Sequence, residues 1–251
     1  MSLPEMATLI ASARAAALDH RFDEAAQVAS RVLQTLPNCL IALRSLAWAQ
    51  LELGDDRALG TFQRCAALDP EDVLAWVGQA IWYQQRHQAE LATEHWLRAW
   101  ELDPHNQPLR RALVKLTGEL PESPLADAIG LLRSGHDDAA AESLRRLRAE
   151  RRDVIVDLAL LDAMAALSQQ REAAELARAI HAAAPECLKA ALYVAALEER
   201  AGRTLRSREL LARVEHADPG LALFGPLVRQ VGLQPTIDPY RAGRPAAAVG
   251  R

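Results

Sequence analysis

Seven histidines and three cysteines are the residues of this chain best suited to holding a metal or attacking a substrate. Their spacing supports neither use. His87 and His95 fall on different predicted helices, and no HxxxH, HExxH or Cys/His pair supplies the local donor set that zinc requires. Cys39, Cys65 and Cys187 form no CxxC pair and are odd in number, which predicts no disulfide framework and fits a reducing compartment. Residues Ser134 to Asp138 read SGHDD, the letters of a Ser/His/Asp triad. No GxSxG elbow accompanies them, and the run falls at a turn that places Asp137 at a helix N-terminus. GxGxxG and P-loop patterns are absent as well. We therefore expect no catalytic residue, cofactor or metal.

Two clusters have the chemistry of recognition instead. The first is aromatic: Trp76, Trp82, Tyr83, Trp96 and Trp100, for which core packing is the default reading and exposed contacts at Trp82 and Trp100 the alternative. The second is SLRRLRAERR, which puts Arg145, Arg146, Arg148, Arg151 and Arg152 on one helix. Glu142 and Glu150 lie beside them, so a solvated salt-bridged face is the default reading and a docking site for an acidic partner or RNA the alternative. A formal net charge of −4 and a pI near 6.0 argue against a general nucleic-acid or anionic-membrane binder. No apolar stretch approaches the roughly 20 residues that span a bilayer. The stretch from Met1 to Leu18 reads as an amphipathic helix rather than a signal peptide, so a cytoplasmic protein without membrane insertion is expected.

The elements that position these residues follow from prolines. Pro37, Pro70 and Pro104 recur at 33 and 34 residues, and Pro185 and Pro219 at 34. The segments before them (ASRVLQTLP, FQRCAALDP, WLRAWELDP, ARAIHAAAP and LARVEHADP) are helix-like apolar patterns that proline stops. Composition agrees, being rich in alanine, leucine and arginine and poor in β-branched runs. The best copy runs from Val73 to Asn106, with Trp76, Ala80, Tyr83, Ala92, Trp96, Ala99 and Pro104. Weaker copies begin at Met6, Leu40, Pro121, Val154 and Leu188, and Gly54, Gly135 and Gly202 fall at their inter-helix turns. A fixed period in this range predicts an all-α solenoid of about fourteen helices, each repeat two antiparallel helices that cannot bury their apolar stripes alone.

The phase breaks once. An extra segment, QPLRRALVKLTGEL, follows Asn106, and its Leu109, Leu113 and Leu116 give a single helix. Gly118, Pro121 and Pro124 come next as a breaker cluster. Either the extra helix caps the first three repeats ahead of a second lobe, or it stacks and the solenoid continues with a kink. The expected division is residues 1–120 (three repeats and the extra helix), 121–232 (three repeats and a capping helix) and a flexible tail at 233–251.

The copy at Val73 to Asn106 resembles the tetratricopeptide pattern W-x2-L-G-x2-Y, A-x3-F, P, with Gln79 and Ala80 in place of Leu and Gly. That resemblance implies a right-handed superhelix, broken near residues 107–123, whose inner helices line a concave groove for a partner peptide or helix. One subclass of the family grips a C-terminal carboxylate with Lys, Asn and Arg. The matching positions here are Ile10, Arg14, Ser45, Leu74 and Gly78, so that clamp is absent. The family's inner positions would place Ile10, Arg14, Ile41, Arg44, Trp48, Leu51, Leu74, Val77, Ile81 and Gln84 on the concave side. So apolar a set predicts a contact surface, unless the side chains pack on one another or the tail fills the groove. The implied function is a non-catalytic scaffold, adaptor or assembly factor for a protein partner. A secretion-type chaperone or a regulatory subunit of an enzyme complex is the alternative.

Overall fold

The structure, a computed structural model, describes residues 3–235. Among them are fourteen α-helices and no strand: α1 (Leu3–Leu18), α2 (Phe22–Thr35), α3 (Leu40–Glu52), α4 (Ala58–Leu68), α5 (Val73–Gln85), α6 (Ala89–Leu102), α7 (Gln107–Thr117), α8 (Pro124–Arg133), α9 (Asp137–Glu150), α10 (Val154–Ala166), α11 (Gln170–Ala183), α12 (Leu188–Arg200), α13 (Thr204–Ala217) and α14 (Gly225–Gln230). The architecture is a tetratricopeptide-like repeat of antiparallel helix pairs. The expected tail lies largely outside the described residues, although its first residue, Leu233, is buried.

Each pair turns through one residue in the left-handed region. Gly54, Gly135 and Gly202 occupy it at φ of 71°, 74° and 75°. The remaining pairs use His20, Ser168 and His87, at φ of 59°, 59° and 58°. A side chain there meets its own backbone, so the tertiary packing of these pairs imposes a conformation that the local sequence disfavours.

The chain forms two compact units. One runs through Gly54 and resumes at Ala191; the other is Asp55–Ala190. In the first, α1 packs on α2 and α3 around Met6, Ile10, Ala13, Ala29, Val32, Cys39 and Ala42. Asp218 is fully buried in the same unit. Its carboxylate accepts the backbone N–H groups of Ala222, Leu223 and Phe224, the last two at 2.8 Å, and so shapes the entry to α14.

In the second unit each helix from α4 to α11 packs mainly on its sequence neighbours. The α5–α6 pair is the tightest. Ala80, Ala92 and Ala99 have no exposed surface and let the two backbones approach, while Trp96 and Trp100 fill the space beside them. Burying each of those rings stabilises the pair by about 2–3 kcal/mol. The extra helix α7 contributes Leu109 and Leu113 to this core, and Ala126 of α8 joins it. Helix α6 thus packs on both α7 and α8.

A buried polar cluster reinforces that arrangement. Ser123 donates to Glu101 at 2.6 Å, and its own Oγ accepts the Ala126 N–H that starts α8. Arg98 pairs with Glu101 at 3.1 Å and with Asp153 at 2.6 Å, and Asp153 caps α10 through the Ile155 N–H. One arginine on α6 therefore ties together the starts of two later helices.

Candidate protein-interaction site

The inner-face residues inferred from sequence divide between the two compact units. In the first, Ile10 keeps 7% exposure and Leu51 3%; both are spent on packing, and Ile41 lies half-buried against the same cluster as Ile10. Arg14 is exposed, while Arg44 and Trp48 are half-buried. Arg44 stands close enough to Asp218 to favour its carboxylate. Burial acts the other way and prevails, so the Asp218 carboxyl titrates above its ordinary range.

The remaining four lie in the second unit. Leu74, Val77, Ile81 and Gln84 recur at three- and four-residue intervals and share one side of α5. Leu74 is 50% exposed, Val77 and Ile81 are half-buried against the α5–α6 core, and Gln84 is exposed, with its Oε1 accepting the Trp96 indole N–H at 3.3 Å. The inward residues of the same helix, Ala75, Gly78, Gln79 and Ala80, are all buried.

Most of the aromatic cluster is structural. Trp100 is buried, Trp96 nearly so, and the Trp76 indole donates to the Pro70 carbonyl at 2.9 Å, fastening the start of α5. Trp82 differs. It is half-buried beneath the Arg86 guanidinium, 3.8 Å from the ring centroid, and edge-on to Tyr83. Arg86 also pairs with Asp56, so the stack is held from both sides.

The arginine-rich helix α9 is largely neutralised by its surroundings. Arg145 pairs with Glu172, Arg146 with Glu142, Arg148 with Asp157 at 2.5 Å, and Arg151 lies within 3.6 Å of Asp153. The SGHDD run is a turn, with Ser134 ending α8 and Asp137 beginning α9. All three cysteines are buried. Burial pushes the Cys39 and Cys187 thiols up to about 11, which leaves them protonated at neutral pH.

Sequence reasoning missed one charged site altogether. Lys189, at the start of α12, is 9% exposed and contacts Glu71 at 2.8 Å and Asp162 at 2.5 Å. Burial alone would discourage the ammonium. The two carboxylates outweigh burial and raise its pKa. These residues lie far apart in sequence, so no local pattern announces them. Among the described residues no group of three or more His, Cys, Asp or Glu could hold a metal ion, and no helix is long and apolar enough to cross a membrane.

No family model matches the chain. A curated relative is Cellulose synthase 2 operon protein C of Komagataeibacter xylinus, 29% identical over 174 residues. The alignment covers 66% of this chain and 13% of that protein, so this chain spans only a small part of the relative's length. Among solved structures, a MamA mutant is 18% identical at a TM-score of 0.40, covering 70% of this chain and 96% of that one. The P58(IPK) TPR domain is 13% identical at the same TM-score, with 90% and 64% covered. None of these likenesses says what this chain binds. Its own helices and turns define it as an all-α protein built of tetratricopeptide-like antiparallel pairs.

Proposed function

We propose that the chain is a non-catalytic scaffold or assembly factor that holds a peptide or helix of another protein. The observation that carries this reading is the side of α5 formed by Leu74, Val77, Ile81 and Gln84, where Leu74 is 50% exposed and Val77 and Ile81 are half-buried. In the other compact unit the candidate contacts are Arg14, Ile41, Arg44 and Trp48, with Ile10 and Leu51 supporting them from the core.

The test is quantitative co-purification from source cells with the full chain, Trp48→Ala and Leu74→Ala. Large aromatic side chains at an interface centre are worth about 2 kcal/mol or more of binding. Capture of a specific partner should therefore fall at least tenfold in Trp48→Ala, with helicity retained. A folded Trp48→Ala that captures normally removes the α3 face from the site. A chain that enriches no protein at all overturns the scaffold reading.

A further inference from the structure

The cations of α9 are matched by nearby carboxylates, and those of α7 are not. Arg110, Arg111 and Lys115 have no carboxylate within ion-pair distance among the described residues. Arg111 and Lys115 are exposed and one helical turn apart, on the side of α7 that also carries Val114, 38% exposed. The opposite side of α7, Leu109 and Leu113, is buried in the core cluster against which Val77 and Ile81 of α5 pack. Helices α5 and α7 therefore pack into one and the same core, and each keeps an outward side, with Leu74 exposed on α5 and Arg111 and Lys115 exposed on α7.

We propose that this α5–α7 face binds an acidic amphipathic helix of a partner protein, its apolar side on Leu74, Val77 and Ile81 and its carboxylates on Arg111 and Lys115. The inference deepens the protein-binding reading above and rests on it. An unpaired guanidinium offers five donors and an ammonium three. Beside aliphatic surface, where a docked helix excludes water, such groups gain more from a carboxylate than they would in bulk solvent. The protein as a whole carries a formal charge of −4, so attraction of an acidic partner has to be local to this patch. The chain's own segment 236–251 fits poorly, since it sets Arg241, Arg244 and Arg251 against Asp238 alone. Single-stranded nucleic acid fits poorly too, because it relies on aromatic stacking platforms and the α5 stripe is aliphatic.

The experiment uses the full chain and two fluorescent synthetic helices with the same leucine face, one bearing Glu and the other Lys on the remaining positions. Binding is read by anisotropy at low and at raised salt. The wild type should bind the Glu helix at least tenfold tighter than the Lys helix, and salt should narrow the gap. Arg111→Glu with Lys115→Glu should reverse the preference, and Arg111→Gln with Lys115→Gln should abolish it, each with unchanged circular dichroism. Should the Glu pair fail to fold, the Gln pair decides. Equal affinity for the two helices, or a preference indifferent to these substitutions, overturns the acidic partner; so does tighter binding of a single-stranded RNA. Neither result touches the scaffold reading, which stands or falls on the partner capture described above.

Discussion

Gly78→Ala should destabilise the protein, against the usual effect of that substitution in a helix. Gly78 lies inside α5, where alanine is favoured over glycine by about 1 kcal/mol. A Cβ at this position would meet Cζ, Cε1 and Cε2 of Phe62 at 2.2, 2.3 and 2.5 Å. Relaxed carbon contacts sit at roughly 3.5–4.0 Å, so ring or helix would have to retreat by more than about 1 Å. Phe62 has no exposed surface. Overpacking a filled core costs about 1–3 kcal/mol, and so deep an overlap belongs at the upper end. After the propensity gain, a net loss of about 2 kcal/mol remains, or roughly 4–8 °C in Tm for a chain of this size. The assay is thermal and urea unfolding followed by circular dichroism, with coincident probes to establish cooperativity, since repeat arrays can unfold in parts. Phe62→Leu, costly by itself, supplies the control: in that background Gly78→Ala should cost little or become favourable, a coupling of more than about 1 kcal/mol. A rise in Tm for Gly78→Ala alone, or the same loss in both backgrounds, would refute the steric account.

Three further outcomes follow from the geometry. His87→Gly and Ser168→Gly relieve left-handed residues and should each stabilise by about 1 kcal/mol in chemical denaturation; unchanged midpoints would mean that the turns carry no strain. Lys189→Ala leaves two carboxylates facing each other and should cost about 3 kcal/mol, the low end for a broken buried pair because Asp162 keeps 41% side-chain exposure. The folded pKa of Lys189 is raised, so its contribution is complete below the unfolded value of about 10.4 and fades only as pH climbs through the folded one. The difference between wild type and variant should thus stay flat from about pH 7 to 9, and a steep decline in that window would contradict the pairing. Cys39 and Cys187, buried and with thiols at about 11, should resist iodoacetamide at neutral pH until the protein unfolds; rapid labelling of either in the native state would show that its helix opens locally.

Much of the fold is legible in one dimension because its determinants are local and repeated. Proline spacing marked where helices stop, and the apolar period marked which faces turn inward. The extra helix α7 could be read from Leu109 and Leu113, and the turns at Gly54, Gly135 and Gly202 from the one residue type that accepts a positive φ without cost. That Leu74, Val77, Ile81 and Gln84 share one side of α5 was readable too, since all four lie within a single helix.

What the sequence left open depends on residues distant along the chain. SLRRLRAERR and QPLRRALVK look alike as strings of cations, and only the fold brings Asp157 and Glu172 to the first while bringing no carboxylate among the described residues to the second. Burial of Ile10 and Leu51, half-burial of Trp48 and the left-handed turns at His20, His87 and Ser168 likewise depend on the helices packed around them. Period and turn chemistry are properties of neighbouring residues, which sequence records directly. Exposure and charge pairing are properties of what lies across space, as Lys189 shows by reaching Glu71 more than a hundred residues away.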